Sequence, residues 1–554
     1  MKIKKKAIAI ILAVLMMFSL CGCDLFGILY PNYDTSIFEQ AFSGDYDYRA
    51  DIVPFSKMEY VRPDVNQLQA TADEISSMVS GGAGRNEITS KLNDSYTLYY
   101  NFKTMETIAG IRSDMDVTDS YYFDEYSYCT SMDASVGRVL DDMLCDCANS
   151  DMCTYLDTEY FGGMLGEKYS VDGTFSYTDE LVSLFNEENS LLSEYRALYM
   201  KMISYDGDMY EEYNEEACNI YINLVKVRKK IAEELDYQCY EDYMSYSYSR
   251  DYTPEDLVEY LAAVKEYIVP IYNKAYDRGL MNEYYELGDL DAETAMQYFD
   301  SFISALPEQI GQVRDFMKTY ELYNISADDN GNDNSYTTYI ENYDSPFMFI
   351  KTDGSMDDLL TMAHEFGHFC DNYINYDGDY CLDTTETMSQ GLEYMLLRYL
   401  DDEQTASALT KFKMLDTLYL YINQASFYDF EHRVFDLPDE ELTVENVNSI
   451  FGDVAEEYGY YNDSTTDLTW IDITHFFEYP FYVISYCISD STAFSLYNME
   501  FDEAGSGLDM YIRLLNDAAN FSFTELLEKE GMSSPVSAQT VQEIAGVLAE
   551  RLGV

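Results

Sequence analysis

The chain has 554 residues, and 47% of them are hydrophobic, which is enough for a sizeable core and unlike a disordered chain. Its 102 acidic residues outnumber 33 basic ones, so the formal net charge is -69. Nucleic acid and anionic lipid headgroups repel a surface this acidic, and we therefore expect no nucleic-acid partner.

The first predicted element is a targeting segment. Lysines within residues 2–6 precede an apolar run at 7–20, which is too short for a membrane span and suits a signal peptide. The run ends in LCGC, which resembles the lipobox of bacterial lipoproteins. That resemblance implies that residues 1–22 are removed and that Cys23 becomes a lipidated first residue. We expect an extracytoplasmic protein, lipid-anchored to the outer face of the bacterial cell membrane. A plain secretory signal is the alternative.

Cysteine usage does not predict a metal or redox motif. The chain has 11 cysteines, and nine remain after Cys21 and Cys23. Cys145, Cys147 and Cys153 are close in sequence, so a disulfide is one interpretation, and buried small apolar residues are the favoured one.

The lead-in to the folded part is predicted to be a tether at 23–55, where periodicity is weak. A helix follows, with apolar residues in three- and four-residue steps. These are Val65, Leu68, Ala72, Ile75 and Val79. The Gly81-Gly82 pair is expected to end this helix. Loops are predicted at 162–177 and 326–335.

A second helix start stands at TPED. Thr253 and Asp256 have the spacing of a capping box, with Pro254 at the first helical position. One apolar face then consists of Leu257, Leu261, Val264 and Ile268.

PFMFIK at 346–351 predicts a strand, with a turn at DG after it. Ser355 with Asp358 predicts the cap of a new helix, which extends to about residue 373. This helix contains the stretch TMAHEFGHFC.

Two of the four histidines in the chain lie in that stretch. His364 and His368 are four residues apart, so on a helix they project from one face and can converge on one Zn²⁺. Glu365, adjacent to the first histidine, can act as a general base. An amphipathic helix that happens to contain two histidines is the alternative.

A catalytic zinc requires a third protein ligand. Glu386 is the best candidate, and Asp383 competes with it. Glu393 lies two turns beyond Glu386 on the same helix face and could orient a ligand histidine.

These motifs resemble the M3 peptidase family, nearest its oligoendopeptidase F branch. The family pattern H-E-x-G-H followed by E-x-x-S-x-x-x-E matches residues 364–368 and 386–393. Further similar segments lie at 224–256, 345–368, 424–460 and 475–486. The resemblance is good from about 205 to 500 and diffuse before that.

The resemblance implies a mainly α fold: a large multi-helix, two-lobed peptidase with a deep central channel and a small β-sheet next to the HExxH helix. It implies an N-terminal helical lobe at 56–205 and a catalytic zinc-peptidase domain at 206–554. It also implies one Zn²⁺ per chain, with Glu386 as the third ligand.

The resemblance places catalytic roles on His475, Tyr482 and Tyr486, which would donate to the developing oxyanion. Tyr479, Tyr482 and Tyr486 have a spacing that could put them on one helix face. Tyr479 is expected to contact substrate or to pack. Phe349 is a further expected substrate contact, because the strand at 346–351 is expected to pair with an extended peptide, as edge strands can. His432 is interpreted as structural.

The expected function is zinc-dependent endopeptidase cleavage of short extracellular oligopeptides. A catalytically inactive, lipid-anchored peptide-binding protein of the same fold is the first alternative. An endopeptidase acting on larger proteins is the second. The acid surplus is typical of a solvated surface, which is the favoured interpretation. The more specific alternative is an acidic cleft that attracts basic peptides.

Overall fold

A computed structural model of the protein describes residues 50–161, 164–169, 179–205, 207–276, 278, 290–327, 334–375 and 381–554. The signal segment, Cys23 and most of the predicted tether lie outside these residues, as do parts of the loops predicted at 162–177 and 326–335. Residues 164–169 form a short helix, so the first of these loops contains a helical turn.

Helices account for most of the described chain. In chain order they are α1 Val65–Gly81, α2 Arg85–Met115, α3 Ser120–Ala148, α4 Cys153–Glu159, α5 Met164–Tyr169, α6 Asp179–Ile203, α7 Met209–Glu234, α8 Tyr240–Ser247, α9 Pro254–Ala263, α10 Val269–Tyr276, α11 Ala292–Ala305 and α12 Glu308–Thr319. The described strands follow: β1 Tyr323–Ser326, β2 Tyr336–Ile340 and β3 Ser345–Lys351. The later helices are α13 Asp358–Asn375, α14 Leu382–Tyr399, α15 Glu403–Phe435, α16 Val444–Glu457, α17 Thr474–Glu478, α18 Ile484–Asp502, α19 Ser506–Asp517, α20 Phe523–Glu530 and α21 Ala538–Leu552. The prediction of a mainly α fold with a small sheet is confirmed. Within the described residues, no helix combines the length and the apolarity needed to cross a bilayer.

The described residues form two compact units. The first consists of the described part of Met1–Tyr177 with Leu290–Gln297 and Pro307–Tyr373. The second consists of the described part of Thr178–Asp289 with Tyr298–Leu306 and Ile374–Val554. The division into functional lobes at residues 205 and 206 stays a prediction.

The first unit has its apolar core between α1, α2 and α3. The carboxylate of Asp64 accepts a hydrogen bond from the backbone N–H of Asn66 at 3.1 Å and caps α1. Gly82 ends the helix at a φ of +70°, a conformation that glycine adopts without strain. The predicted stripe is buried from Leu68 to Val79. It packs against apolar residues of α2 and α3 that include Ile88, Leu92, Tyr96, Leu140, Met143 and Leu144.

The first unit also contains the sheet, whose strand order is β1-β3-β2. β3 is parallel to β1 and antiparallel to β2, so both of its edges are hydrogen-bonded. The expectation that the strand at 346–351 pairs with substrate as an edge strand is therefore wrong. Phe349, in register with Asn324 and Tyr336, lies in the middle of the sheet.

The helix that carries HEFGH begins two residues later than predicted. α13 starts at Asp358, whose carboxylate accepts hydrogen bonds from the backbone N–H groups of Asp353 at 3.3 Å and Gly354 at 3.0 Å. The predicted capping box with Ser355 is wrong, because the carboxylate instead closes the turn after β3. That turn ties the central strand to the first residue of α13.

In the second unit, α9 begins as predicted. Thr253 Oγ1 accepts from the backbone N–H of Asp256 at 3.2 Å, and the Asp256 carboxylate accepts from the Thr253 N–H at 2.9 Å. The predicted apolar face, ending at Ile268, is buried. Val264–Ile268 forms a π-helical turn between α9 and α10, which the apolar periodicity did not predict.

Helices α14 and α18 of the second unit pack against each other. The side-chain amide of Gln390 donates to the carbonyl of Tyr486 at 3.2 Å, and the hydroxyl of Tyr394 donates to Asp490 at 2.9 Å. Buried polar groups are therefore paired across this helix contact, which sets the register between the two helices.

The cysteines among the described residues, from Cys129 to Cys487, form no disulfide bonds. Cys147 is buried, and Cys145 and Cys153 are half-buried. No disulfide joins these three cysteines, and the interpretation as buried small apolar residues agrees with the burial of Cys147.

Two glycines of the second unit provide a test of its packing. A Cβ at Gly507 would lie 2.1 Å from the carbonyl oxygen of Leu496, whereas a Cβ at Gly546 would meet no atom within 4 Å. Gly507→Ala is expected to lower the free energy of unfolding by about 2 kcal/mol or more because of overpacking. The control Gly546→Ala is expected to raise it by up to about 1 kcal/mol because alanine reduces unfolded-state entropy. Urea unfolding would measure both, and equal midpoints for the two variants would contradict the packing described.

Candidate metal site

The HEFGH motif lies on α13 with both imidazoles on one face. His364 and His368 are buried, and their Nε2 atoms lie 3.2 Å apart with ring planes at 82°. A tetrahedral zinc at about 2.0–2.1 Å from each nitrogen requires a separation of about 3.3 Å. The two nitrogens are therefore spaced as ligands of one ion.

Burial also affects the protonation of His368. Desolvation, with the neighbouring His364, holds the pKa of His368 well below its usual range. Neutral imidazole is the form that coordinates metals. The His368 ring is therefore neutral at physiological pH without requiring a metal to displace its proton.

Glu386 completes a group that could hold a metal ion. One ligand atom each from His364, His368 and Glu386 lies within 4.8 Å of the others, and all three residues are buried. The Glu386 carboxylate accepts a hydrogen bond from Ser389 Oγ at 3.2 Å. Two imidazoles and a carboxylate form a donor set typical of hydrolytic zinc sites, and a cation offsets the cost of burying the carboxylate. The residues present therefore fit zinc.

Asp383, the competing ligand, has other partners. Its carboxylate accepts from the hydroxyl of Tyr252 at 2.6 Å and from the Cys381 thiol at 3.2 Å, close to the start of α14. Among the described residues, the group with metal-ligand spacing contains Glu386 and not Asp383.

Glu393 lies two turns beyond Glu386 and forms a buried ion pair. Its carboxylate is 2.7 Å from Lys413 Nζ, which is also 3.2 Å from Asp416. Its predicted role in orienting a ligand histidine stays a prediction.

The candidate general base is held by the sheet. Glu365 is fully buried, and the hydroxyl of Thr337 lies 3.0 Å from its carboxylate oxygen and 2.8 Å from its backbone carbonyl. Thr337 belongs to β2, so the strand contacts the helix directly at the residue expected to move protons. Sequence reasoning missed Thr337, because a threonine in a strand carries no signal of what it faces.

The histidine and tyrosines implied by the family resemblance lie together in the second unit. Ring centroids of Tyr479, Tyr482 and Tyr486 are 5.7, 6.0 and 6.4 Å from that of His475. Tyr482 Oη lies 3.5 Å from Glu386 Oε1. The structure therefore connects this aromatic cluster to the carboxylate of the candidate metal site.

The tyrosines do not share one helix face, contrary to expectation. Tyr479 follows the end of α17, and α18 begins only at Ile484, so Tyr482 precedes it. Between them Phe481 has a φ of +60°, which is rare for a bulky residue and costs about 1–3 kcal/mol. An irregular turn, rather than helical spacing, brings the rings together.

His475 is a buried histidine in the neutral form. Burial lowers its pKa to about 4. Its Nε2 atom is buried and has no protein hydrogen-bond partner. A neutral ring nitrogen of this kind is available to a ligand.

Phe349 and His432 are the remaining residues named from the sequence. Phe349 is buried and stacks on Tyr336 at 5.2 Å, and its substrate contact stays a prediction. His432 Nδ1 lies 2.8 Å from Glu241, which also accepts from the Tyr428 hydroxyl, in agreement with the structural interpretation.

Residues 55–165 match the Peptidase M3 N-terminal domain. This match falls where the family motifs of the sequence are diffuse. The chain is 26% identical over 208 residues to the oligopeptidase PepF of Bacillus subtilis, covering 34% of this chain and 31% of that one. It is 30% identical over 162 residues to the chromosomal oligoendopeptidase F of Lactococcus lactis subsp. cremoris, covering 26% and 27%. The aligned parts therefore span about a third or less of these relatives.

Solved structures extend the similarity to most of the chain. The structure of PZ peptidase A with an inhibitor matches 90% of this chain and 99% of that one, with a TM-score of 0.72 at 21% identity. A structure assigned to an oligoendopeptidase F from Bacillus anthracis matches 91% and 99%, with a TM-score of 0.69 at 21% identity. The fold is that of the oligoendopeptidase F-type peptidases. In sequence the chain is similar to M3 peptidases of this PepF branch.

Metal binding provides the direct test of this site. His364→Ala, His368→Ala and Glu386→Gln are each expected to reduce bound zinc from about one per chain to below about a tenth, because each removes a ligand. His432→Ala is the matched control, since it removes a histidine outside the group and should retain wild-type zinc. Elemental analysis after dialysis would measure the content. Full zinc in the three ligand variants would place the ion elsewhere.

Proposed function

We propose that this protein is a zinc-dependent metalloendopeptidase that hydrolyses short oligopeptides outside the cell. The observation that carries the proposal is the buried His364–His368–Glu386 group with Glu365 on the same helix. The names of the relatives, an oligopeptidase and an oligoendopeptidase, support peptides as the substrate class.

In the proposed mechanism, His364, His368 and Glu386 would hold the zinc. When bound, the ion would polarise the scissile carbonyl and lower the pKa of the attacking water. Glu365 takes the proton of this water and passes it to the leaving amine. Thr337 keeps the carboxylate of Glu365 in place.

Hydrolysis builds negative charge on the former carbonyl oxygen. Tyr482, Tyr486 and His475 are the proposed donors to that oxygen, and such donors contribute about 3–4 kcal/mol each to catalysis. Tyr479, in ring contact with His475, is the proposed substrate contact beside them. A channel that admits short peptides and excludes folded proteins would restrict the substrates.

Two other functions remain testable. An inactive peptide-binding protein of the same fold would bind oligopeptides without cleaving them. An endopeptidase for larger proteins would cleave a folded substrate as well as peptides. The intact ligand group and base favour an active enzyme over the binder.

Replacement of the base separates catalysis from binding. Glu365→Gln is expected to lower kcat for quenched fluorescent peptides by at least about 1000-fold, because proton transfer is lost, while zinc stays near one per chain. A Glu365→Asp variant is a matched control that retains a carboxylate and should retain part of the activity. Wild-type protein with bound zinc and no Glu365-dependent cleavage would favour the binder. Equal cleavage of a folded protein and of its peptides would favour the second alternative.

The proposed localisation depends on Cys23, with the lipid as anchor to the outer face of the membrane. Cys23→Ala is expected to shift the protein from the membrane fraction to the medium and to abolish incorporation of radiolabelled fatty acid, because the thiol is the site of acylation. Cys21→Ala is the control and should leave anchoring intact. Unchanged labelling of Cys23→Ala would contradict the anchor.

A further inference from the structure

Residues 475–486 carry the proposed oxyanion donors. Two buried arginines of the second unit bind the backbone of this segment. Arg228, on α7, donates to the carbonyls of Phe476, at 3.2 Å, and Phe477, and it is paired with Glu188 at 2.7 Å. Arg250, after α8, contacts the later part of the segment. The first arginine therefore holds the His475 end, and the second holds the end with Tyr482.

Arg250 directs one nitrogen at three acceptors. Its Nη2 lies 2.8 Å from the carbonyl oxygen of Phe481, 3.4 Å from that of Tyr482 and 2.8 Å from Ser485 Oγ. Its guanidinium also lies 4.9 Å from the ring of Tyr248. A buried cation that binds successive groups of one turn defines the path of that turn.

The turn requires such support because its backbone is strained. Phe481 has a positive φ, and its N–H donates to the buried carboxylate of Glu431 at 3.0 Å. Its ring is fixed by Tyr428 at 5.6 Å and Phe435 at 4.9 Å. Strained residues persist where the surroundings over-determine them, and here the N–H, the carbonyl and the ring are each held.

Tyr482 directly follows the strained Phe481. Its ring direction follows from the peptide plane that Arg250 binds, and its hydroxyl lies at the edge of hydrogen-bond distance from Glu386. Ser485, the third acceptor, directly precedes Tyr486. Movement of this turn would therefore move both tyrosine hydroxyls.

We propose that Arg250 is a positioning residue: through the carbonyls of Phe481 and Tyr482 and the hydroxyl of Ser485, it aims the Tyr482 and Tyr486 hydroxyls at the oxyanion of the transition state. This inference rests on the proposed peptidase function. It adds a residue that lies 114 positions before His364, in the segment 224–256, to which the sequence assigned no catalytic role.

The test is Arg250→Lys, which retains the charge and loses the planar fork. We expect kcat to fall about 10- to 100-fold, because misplacement of a catalytic group by about 1 Å costs this much. KM and zinc content should stay within about threefold, because the proposed donors act mainly in the transition state. Arg433→Lys is the matched control, since this arginine pairs with Asp429 and Glu457 and does not contact the turn. It should retain wild-type kcat.

A mutant cycle with a Tyr482→Phe/Tyr486→Phe background distinguishes positioning from general stability. If Arg250 acts through these two tyrosines, Arg250→Lys should lower kcat less than about threefold in that background. Independent, multiplicative losses would overturn the inference. If Arg250→Lys fails to fold, Ser485→Ala removes one of the three acceptors and should lower kcat with Tm near wild type.

A crystal structure of Arg250→Lys, or of Ser485→Ala if that variant alone folds, gives an answer that does not depend on activity. The Tyr482 hydroxyl should shift by more than about 1 Å relative to the wild type. An unmoved Tyr482 would overturn the inference. Wild-type protein without peptidase activity would instead overturn the proposed function, and the tyrosine position would still show whether Arg250 sets this turn.

Discussion

The close approach of two buried imidazoles, those of His364 and His368, is the constraint on which the site depends. Their Nε2 atoms lie 3.2 Å apart, which is the spacing of two ligands that share one ion. The helix provides the spacing, because residues four apart project from one face. The direction of that helix is set by its first residue, Asp358, which closes the turn from the central strand.

The fold supplies hydrogen-bond partners for two buried carboxylates near this pair. Thr337 reaches Glu365 from β2, and Ser389 reaches Glu386 from the following turn of α14. Groups that are desolvated in this way are held in one position, because leaving them unpaired costs more than the hydrogen bond contributes. Pre-organised donors and bases require this rigidity, since they must not reorganise during the reaction.

In this protein the similarity to solved structures shows the fold, whereas the proposed function is supported by the side chains of the candidate site. At 21% identity, the solved structures show an oligoendopeptidase F-type fold over nine tenths of the chain. A fold of this kind does not by itself show turnover. The side chains support the proposed peptidase: two histidines, two glutamates and the neutral, buried His475 with a ring nitrogen available to a ligand.

The sequence by itself determined the HEFGH helix and the helical start at Thr253, because spacing and capping are local properties of a chain. It left Glu386 and Asp383 as competing ligands, and the family resemblance implied Glu386. It also led to a mainly α fold. It placed the strand at 346–351 but not its central position, because pairing partners are distant in sequence. It named His475, Tyr482 and Tyr486 through family motifs, yet it suggested a shared helix face where the chain makes a strained turn at Phe481.

Only the tertiary structure decided that Thr337 contacts Glu365 and that Arg250 binds the tyrosine turn. Contacts across 28 and 231 positions leave no periodic signal in either segment, so they are determined by how the helices and strands pack.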